Sequence, residues 1–231
     1  MAILEADGLT KTYGSLCALD QVSLSLESGR IVGLLGPNGS GKTTFIKICN
    51  GLLVPAAGEL RIDGSPVGTA TKALSAYLPD RDFLPDWMKA SDVIDYYSDF
   101  FSDFDAQKAG DMLEDLGIKA DQKLGKMSKG TREKLRLIVT MARRAKIYFL
   151  DEPIAGVDPA ARDYILRTII ANYNTDALVV ISTHLIADVE SVLDEAVLLR
   201  NGKVVLHAPV DEVRERTGKS LDEYFREVFA C

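Results

Sequence analysis

The sequence predicts an α/β domain with a parallel sheet, an antiparallel β layer and an inserted helical lobe. Three observations carry this expectation. RIVGLL (residues 30–35), IYFL (147–150) and ALVVIS (177–182) are continuous apolar runs, as expected of strands buried on both faces of a parallel sheet. A helical stretch follows each, over residues 43–50, 160–172 and 185–193, and that alternation marks an α/β core. Between about residues 89 and 144 no strand pattern occurs, so the core is expected to span about 1–88 and 145–231 with the lobe inserted.

Along the chain, Val22, Leu24 and Leu26 alternate with Ser23, Ser25 and Glu27, the period of a strand with one buried face. GELRIDG (58–64) is a short strand between turn glycines. SDVIDYYSDFF, AQKAGDMLEDLGI and TREKLRLIVTMARRA read as the helices of the lobe, and Leu135, Ile138, Val139 and Ala142 make a helical stripe in the last. Arg132, Lys134 and Arg136 read mostly as a solvated helix face. AVLLRNGKVVLHA carries Asn201-Gly202 between two apolar runs, a hairpin signal assigned to the antiparallel layer.

Composition narrows the function. The 231 residues carry a formal net charge of -7, which argues against the basic footprint of a nucleic-acid binder. Cys17, Cys49 and Cys231 are odd in number and lack CxxC spacing, so neither a disulfide framework nor a zinc site is expected. MAILEADG lacks the basic and long apolar regions of a signal peptide, and no run approaches the ~18 to 20 apolar residues of a span. A membrane role is therefore expected to come through a partner.

GPNGSGKT matches GxxxxGK[ST] and follows an apolar strand directly. Gly36, Pro37, Asn38, Gly39, Ser40 and Gly41 would turn backbone N–H groups toward phosphate oxygens, and Lys42 would add a point charge. Thr43 would ligate Mg²⁺ at a helix N-terminus, with Thr44 following. A glycine-rich turn without a ligand does not explain the lysine and threonine together. Asp151 and Glu152 end the IYFL strand, in the crevice where α/β sheets bind ligands. Asp151 is expected on the metal through its water shell, and Glu152 on an attacking water. His184 ends the third apolar run and reaches the same sheet end if the strands are parallel. His207 reads as a structural histidine.

Together these residues resemble the nucleotide-binding subunit of ABC transporters over essentially the whole chain, which implies a P-loop NTPase core. The resemblance identifies GPNGSGKTT as Walker A and IYFLDE as Walker B. AGVD, ending at Asp158, is similar to the D-loop, and STH to the switch histidine. It implies that Tyr13 stacks on adenine. MSKGT falls on the family signature, usually LSGGQ. Ser128 and Gly130 are kept, while Lys129 and Thr131 replace a glycine and a glutamine. The resemblance implies that Ser128, Lys129 and Gly130 cap ATP held by a second, head-to-tail subunit. Asp80 stands where the family has glutamine, and three readings stay open: it binds the metal, opposes the γ-phosphate or faces away.

The implied function is an ATP-hydrolysing subunit, using ATP and Mg²⁺, that dimerises with itself or a related chain and powers separate membrane-spanning subunits. The tail LDEYFREVF resembles ABC-2-type exporters. The implied location is cytoplasmic, peripheral on the inner face of the cell membrane. The alternative is a soluble ABC-type ATPase in cofactor assembly or another non-transport process; no nucleic-acid partner is expected. Phe83, Leu84, Trp87 and Met88 are expected either to form an exposed docking cluster or to pack the lobe on the core.

Overall fold

The computed structural model describes residues 2–229, apart from the side chains of residues 160 and 161; Cys231 lies outside the described residues. The strands are β1 (Ala2–Tyr13), β2 (Leu16–Glu27), β3 (Ile31–Leu35), β4 (Ala57–Ile62), β5 (Ser65–Pro66), β6 (Ser75–Leu78), β7 (Ile147–Asp151), β8 (Leu178–Thr183), β9 (Glu195–Arg200) and β10 (Lys203–Pro209). The helices are α1 (Lys42–Cys49), α2 (Thr69–Ala73), α3 (Ala90–Phe100), α4 (Ala106–Asp115), α5 (Lys129–Met141), α6 (Pro159–Asn172), α7 (Ile186–Val189), α8 (Val210–Thr217) and α9 (Leu221–Phe229).

The described strands form two sheets. One is antiparallel in the order β2-β1-β4-β5; the other runs β10-β9-β3-β8-β7-β6, with β9, β3, β8, β7 and β6 parallel. The continuous apolar runs are double-sided, as expected. On β7, Phe149 packs into the layer shared with the antiparallel sheet, whereas Tyr148 and Leu150 face the helices. Val180 and Ile181 divide the same way on β8.

Two expectations need correction. The Asn201-Gly202 hairpin does not belong to the antiparallel layer: β9 pairs parallel with β3, and β10 extends that sheet at its edge. Ala196 through Leu199 are all buried, which is the mark of a strand covered on both faces rather than one. The turn itself is as the sequence suggests, with Asn201 and Gly202 both at positive φ (49° and 78°). The stretch 185–193 is not one helix; α7 is a single turn, followed by a 3₁₀ turn over Glu190–Val192. β1 and β6 carry no counterpart in the sequence reading.

Between β6 and β7 the chain forms α3, α4 and α5. Ser128 caps α5, its Oγ accepting from the Thr131 amide at 3.2 Å. Leu135, Ile138, Val139 and Ala142 are fully buried, and each large side chain there contributes about 1.5–3 kcal/mol of burial. Val93, Met112 and Ile138 share one buried cluster with Leu35, Leu150 and Ile181.

Arg143, just beyond α5, ties these helices to the sheet. Its Nε donates to Asp103 Oδ1 at 2.8 Å, and its terminal nitrogens donate to the carbonyls of Ser75 and Ala73 at 3.0 Å. Its guanidinium lies 3.9 Å from the Phe101 ring centroid. Arg143→Met leaves a buried carbonyl at Ser75, a partly buried one at Ala73 and a half-buried carboxylate without their donor. Urea denaturation should show a loss of about 2–4 kcal/mol. A loss below about 0.5 kcal/mol, the level of a neutral surface change, would show that Arg143 does not fasten the two parts.

Candidate nucleotide site

Parallel pairing puts the carboxyl ends of β3, β7 and β8 side by side, with Leu35 opposite Thr183 and Asp151 opposite Ser182. The residues that follow these strands therefore meet at one edge. Lys42, Asp151, Glu152 and His184 are brought together there, as the sequence predicts for parallel strands.

The loop after β3 turns back on itself over Gly36–Gly41. A Cβ on Gly36 would lie 2.4 Å from the Leu199 carbonyl oxygen, and one on Gly41, at φ 112°, would lie 2.5 Å from that of Ala18. Glycine at both positions lets the loop close against β9 and β2. Lys42 is buried beneath it and donates to the Gly36 and Pro37 carbonyls at 2.8 and 3.2 Å. Its Nζ also lies 3.2 Å from Glu152 Oε1.

Glu152 occupies the left-handed region at φ 51°, uncommon for a residue with a Cβ. Its amide is held by Ser182, through the carbonyl at 3.0 Å and Oγ at 3.1 Å. Glu152 Oε2 meets His184 Nδ1 at 3.0 Å. Glu152 thus bridges the buried lysine and the histidine.

Asp151 is almost fully buried. Its Oδ1 accepts from Ser182 Oγ at 2.6 Å and Thr43 Oγ1 at 3.1 Å, while Oδ2 has no hydrogen-bond partner among the described residues. Burial pushes its carboxyl above the usual range. The bonds from Ser182 and Thr43 oppose this, and the charges of Asp80 and Glu152 add to it. Ser40 Oγ is likewise buried without a partner.

These orphaned groups fit a phosphate and its ion. Ser40 Oγ is a donor at the loop, and Asp151 Oδ2 is a hard oxygen acceptor beside Thr43. Among the described residues no cluster of three or more His, Cys, Asp or Glu could hold a metal unaided. That suits Mg²⁺, which keeps waters and takes phosphate oxygens alongside one or two carboxylates.

A cleft of about 280 Å³ lies over the loop, lined by Tyr13, Leu16, residues 38–44, Asp80 and Glu152. Tyr13 is half exposed, with Lys11 Nζ 5.5 Å over its ring. Ser128, Lys129 and Gly130 do not line this cleft of their own chain. Lys129 pairs with Glu133 at 3.7 Å, and its Nζ is 3.2 Å from where a Cβ on Gly156 would stand, next to the segment leading to Asp158.

The solvated face expected for Arg132 and Arg136 is corrected. Arg132 is drawn onto the loop after Asp80: Nε meets Asp82 Oδ2 at 2.6 Å, one terminal nitrogen meets Asp86, and the other donates to the Leu84 carbonyl at 2.7 Å. Arg136 is buried and donates to the Pro79 carbonyl. Lys134 lies 5.1 Å over the Tyr164 ring. His207 pairs with Glu195 at 2.9 Å, away from the site. Ser182 is the residue the sequence reading missed; a lone serine ending a buried apolar strand two residues before His184 was its signal.

A carboxyl whose folded pKa is raised stabilises the fold while protonated, and that contribution is lost as pH rises through the folded value. Asp151→Asn removes the ionised form. The nucleotide-free variant should melt above the parent near neutral pH, and the gap should close toward about pH 4, where an ordinary carboxyl protonates. Equal or lower melting near neutral pH contradicts this account of Asp151. Differential scanning calorimetry across pH reads it directly.

Comparison with known proteins identifies the family. The family model described as ABC transporter matches residues 19–155. The uncharacterized ABC transporter ATP-binding protein YdbJ of Bacillus subtilis (strain 168) is 31% identical, over 96% of this chain and 74% of its own. The SkfA peptide export ATP-binding protein SkfE of the same organism is 29% identical, over 94% of this chain and 93% of its own. A solved ATP-binding subunit of an ABC transporter superposes with a TM-score of 0.88 at 26% identity, covering 98% of this chain and 99% of that one. With its phosphate loop, paired acids and histidine set at one end of a parallel sheet, the chain belongs to the ABC transporter family as an ATP-binding, ATP-hydrolysing subunit.

Proposed function

We propose that the chain binds Mg²⁺-ATP between Tyr13 and the phosphate loop and hydrolyses it with Glu152 while paired with a second ATPase subunit. The observation that supports this best is Glu152, held 3.2 Å from Lys42 Nζ and 3.0 Å from His184 Nδ1 beside the orphaned Asp151 Oδ2. In this reading the amides of residues 36–44 and Lys42 hold the phosphates. Thr43 and Asp151 hold the ion, which when bound neutralises charge on the phosphate oxygens. Lys42 exchanges Glu152 for phosphate, which frees Glu152 to accept a proton from water. His184 Nδ1 keeps the Glu152 carboxylate turned toward that water. Tyr13 stacks on the base.

We read residues 1–231 as one ATPase domain, with the core at about 1–88 and 145–231 and the helical lobe at about 89–144. Ser128, at the exposed N-terminus of α5, serves the nucleotide of the second subunit with Lys129 and Gly130, and Asp158 lies at the same interface. Homodimer and pairing with a related chain both fit this geometry.

No described helix is long and apolar enough to cross a membrane. The membrane-spanning partners are therefore separate from the described residues. A groove of about 450 Å³ between the loop after Asp80 and α3 is lined by Phe83, Trp87, Tyr96 and Phe100, with Leu84 and Met88 buried at its base. Trp87 is 72% exposed. Two of the four residues of this cluster thus pack and two stay open. We assign the groove to a short cytoplasmic helix of the membrane subunit, which places the chain on the inner face of the membrane. Likeness to a peptide export ATP-binding protein supports an exporter over cofactor assembly, and the ABC-2 type is our reading of the tail LDEYFREVF.

Glu152→Gln should keep ATP binding while turnover falls ~10² to 10⁴-fold, the loss of a general base. On that background ATP should convert the protein to a dimer by size-exclusion light scattering, and adding Ser128→Arg should abolish the dimer but not nucleotide binding. Parental turnover in Glu152→Gln removes Glu152 from the chemistry. An unchanged dimer in the double variant removes Ser128 from the opposite site.

A further inference from the structure

Arg136 is placed unusually for a cation on an amphipathic helix. It lies about two turns into α5, and only 7% of it is exposed. A terminal nitrogen donates to the Pro79 carbonyl, and the guanidinium carbon sits 5.4 Å from the Phe83 ring centroid. Its Nε is buried without a hydrogen-bond partner among the described residues. Burying a guanidinium is costly unless its charge is answered.

Carboxylates answer it. Arg136 lines a cavity of about 30 Å³ with Pro79, Asp80, Glu133, Asp151 and Glu152, a space that takes one water. Two residues of this lining, Arg136 and Asp151, each carry a buried atom with unmet hydrogen-bonding capacity among the described residues, Nε and Oδ2. Asp80 is shared: it lines this cavity and also the cleft over the phosphate loop. Three of the other nearby acids have cations of their own, while Asp151 is held by the Ser182 and Thr43 hydroxyls. Asp82 is taken by Arg132 at 2.6 Å and Glu133 by Lys129 at 3.7 Å. Glu152 is taken by Lys42 at 3.2 Å. Burial holds the Arg136 guanidinium below its usual range, and the charges of Asp82, Glu133, Asp80 and Tyr97 oppose this.

An acid at position 80 stands beside two more acids at the place where a phosphate must arrive. Without compensation it repels the nucleotide whenever no divalent cation is present. We propose that Arg136 is a positioning residue that makes Asp80 tolerable: it fixes the turn through the Pro79 carbonyl and offsets the Asp80 charge from behind the sheet edge. Water screens Asp80 on the open side; Arg136 does so on the closed side. The two residues then form one unit, and Arg136 sets how strongly nucleotide binding depends on Mg²⁺. This rests on the Mg²⁺-ATP reading of the cleft.

The test is a double-mutant cycle read by ATP affinity, measured by calorimetry with Mg²⁺ and with EDTA in its place. Arg136→Gln should weaken metal-free binding about tenfold, the order expected for unit charges about 12 Å apart at an effective dielectric near 20. The loss should be smaller with Mg²⁺. Asp80→Gln in the same chain should restore metal-free affinity to within about twofold of the parent, and Arg136→Lys, which keeps the charge, should stay close to the parent. If Arg136→Gln unfolds while the double variant folds, the same coupling is read in stability and the proposal stands. Equal losses with and without Mg²⁺, no rescue by Asp80→Gln, or unfolding of both variants would overturn it and leave Arg136 a packing residue. A parent that binds no ATP under either condition would instead remove the nucleotide reading itself.

Discussion

Lys42 and Glu152 hold each other at 3.2 Å at the carboxyl end of the parallel sheet, and the site is organised around that contact. Lys42 is buried under its own glycine loop. Glu152 is held by a strained backbone and two bonds from its amide to Ser182. Each charge makes the other's position affordable in a low-dielectric crevice. His184 on the far oxygen of Glu152 and Thr43 on Asp151 extend the contact into a network that joins β3, β7 and β8. A phosphate that displaces Glu152 from Lys42 therefore acts on three strands at once. The parallel register makes this possible, because only aligned strand ends put these four side chains in one place.

A second organising feature runs along and just beyond α5. Arg132, Arg136 and Arg143 reach onto the segment between α2 and α3 and take backbone carbonyls at Leu84, Pro79, Ser75 and Ala73. The helix that starts at Ser128 and the loop that floors the aromatic groove are thereby fastened together.

The chemistry was more legible in the sequence than the architecture. β3, β7 and β8 declare themselves because strands buried on both faces are apolar at every position, and the groups that follow them were placed correctly for that reason. β1 was hidden because its pairing with β2 shifts register repeatedly, around Gly8 among other places, so its buried residues do not keep period two. β6 is four residues long, begins with serine and lies next to a single-turn helix. The hairpin was assigned to the wrong sheet because Asn201-Gly202 announces a turn and says nothing of which strand lies alongside. Arg132 and Arg136 looked solvated because their partners, the Pro79 carbonyl and Asp82, are far away in sequence. Ser182 was passed over as part of a strand, although it holds Asp151 and Glu152 together.

The central claim is that Lys42 leaves Glu152 for a phosphate of ATP. Calorimetric titration of ATP into the parent and Lys42→Ala, each with and without Mg²⁺, tests it most directly. The account predicts one ATP per parent chain, bound more tightly with Mg²⁺, and a loss of at least about 2 kcal/mol, roughly thirtyfold, in Lys42→Ala, as for a buried charge-assisted contact. Parental affinity in Lys42→Ala, or binding indifferent to both the lysine and the ion, would contradict it.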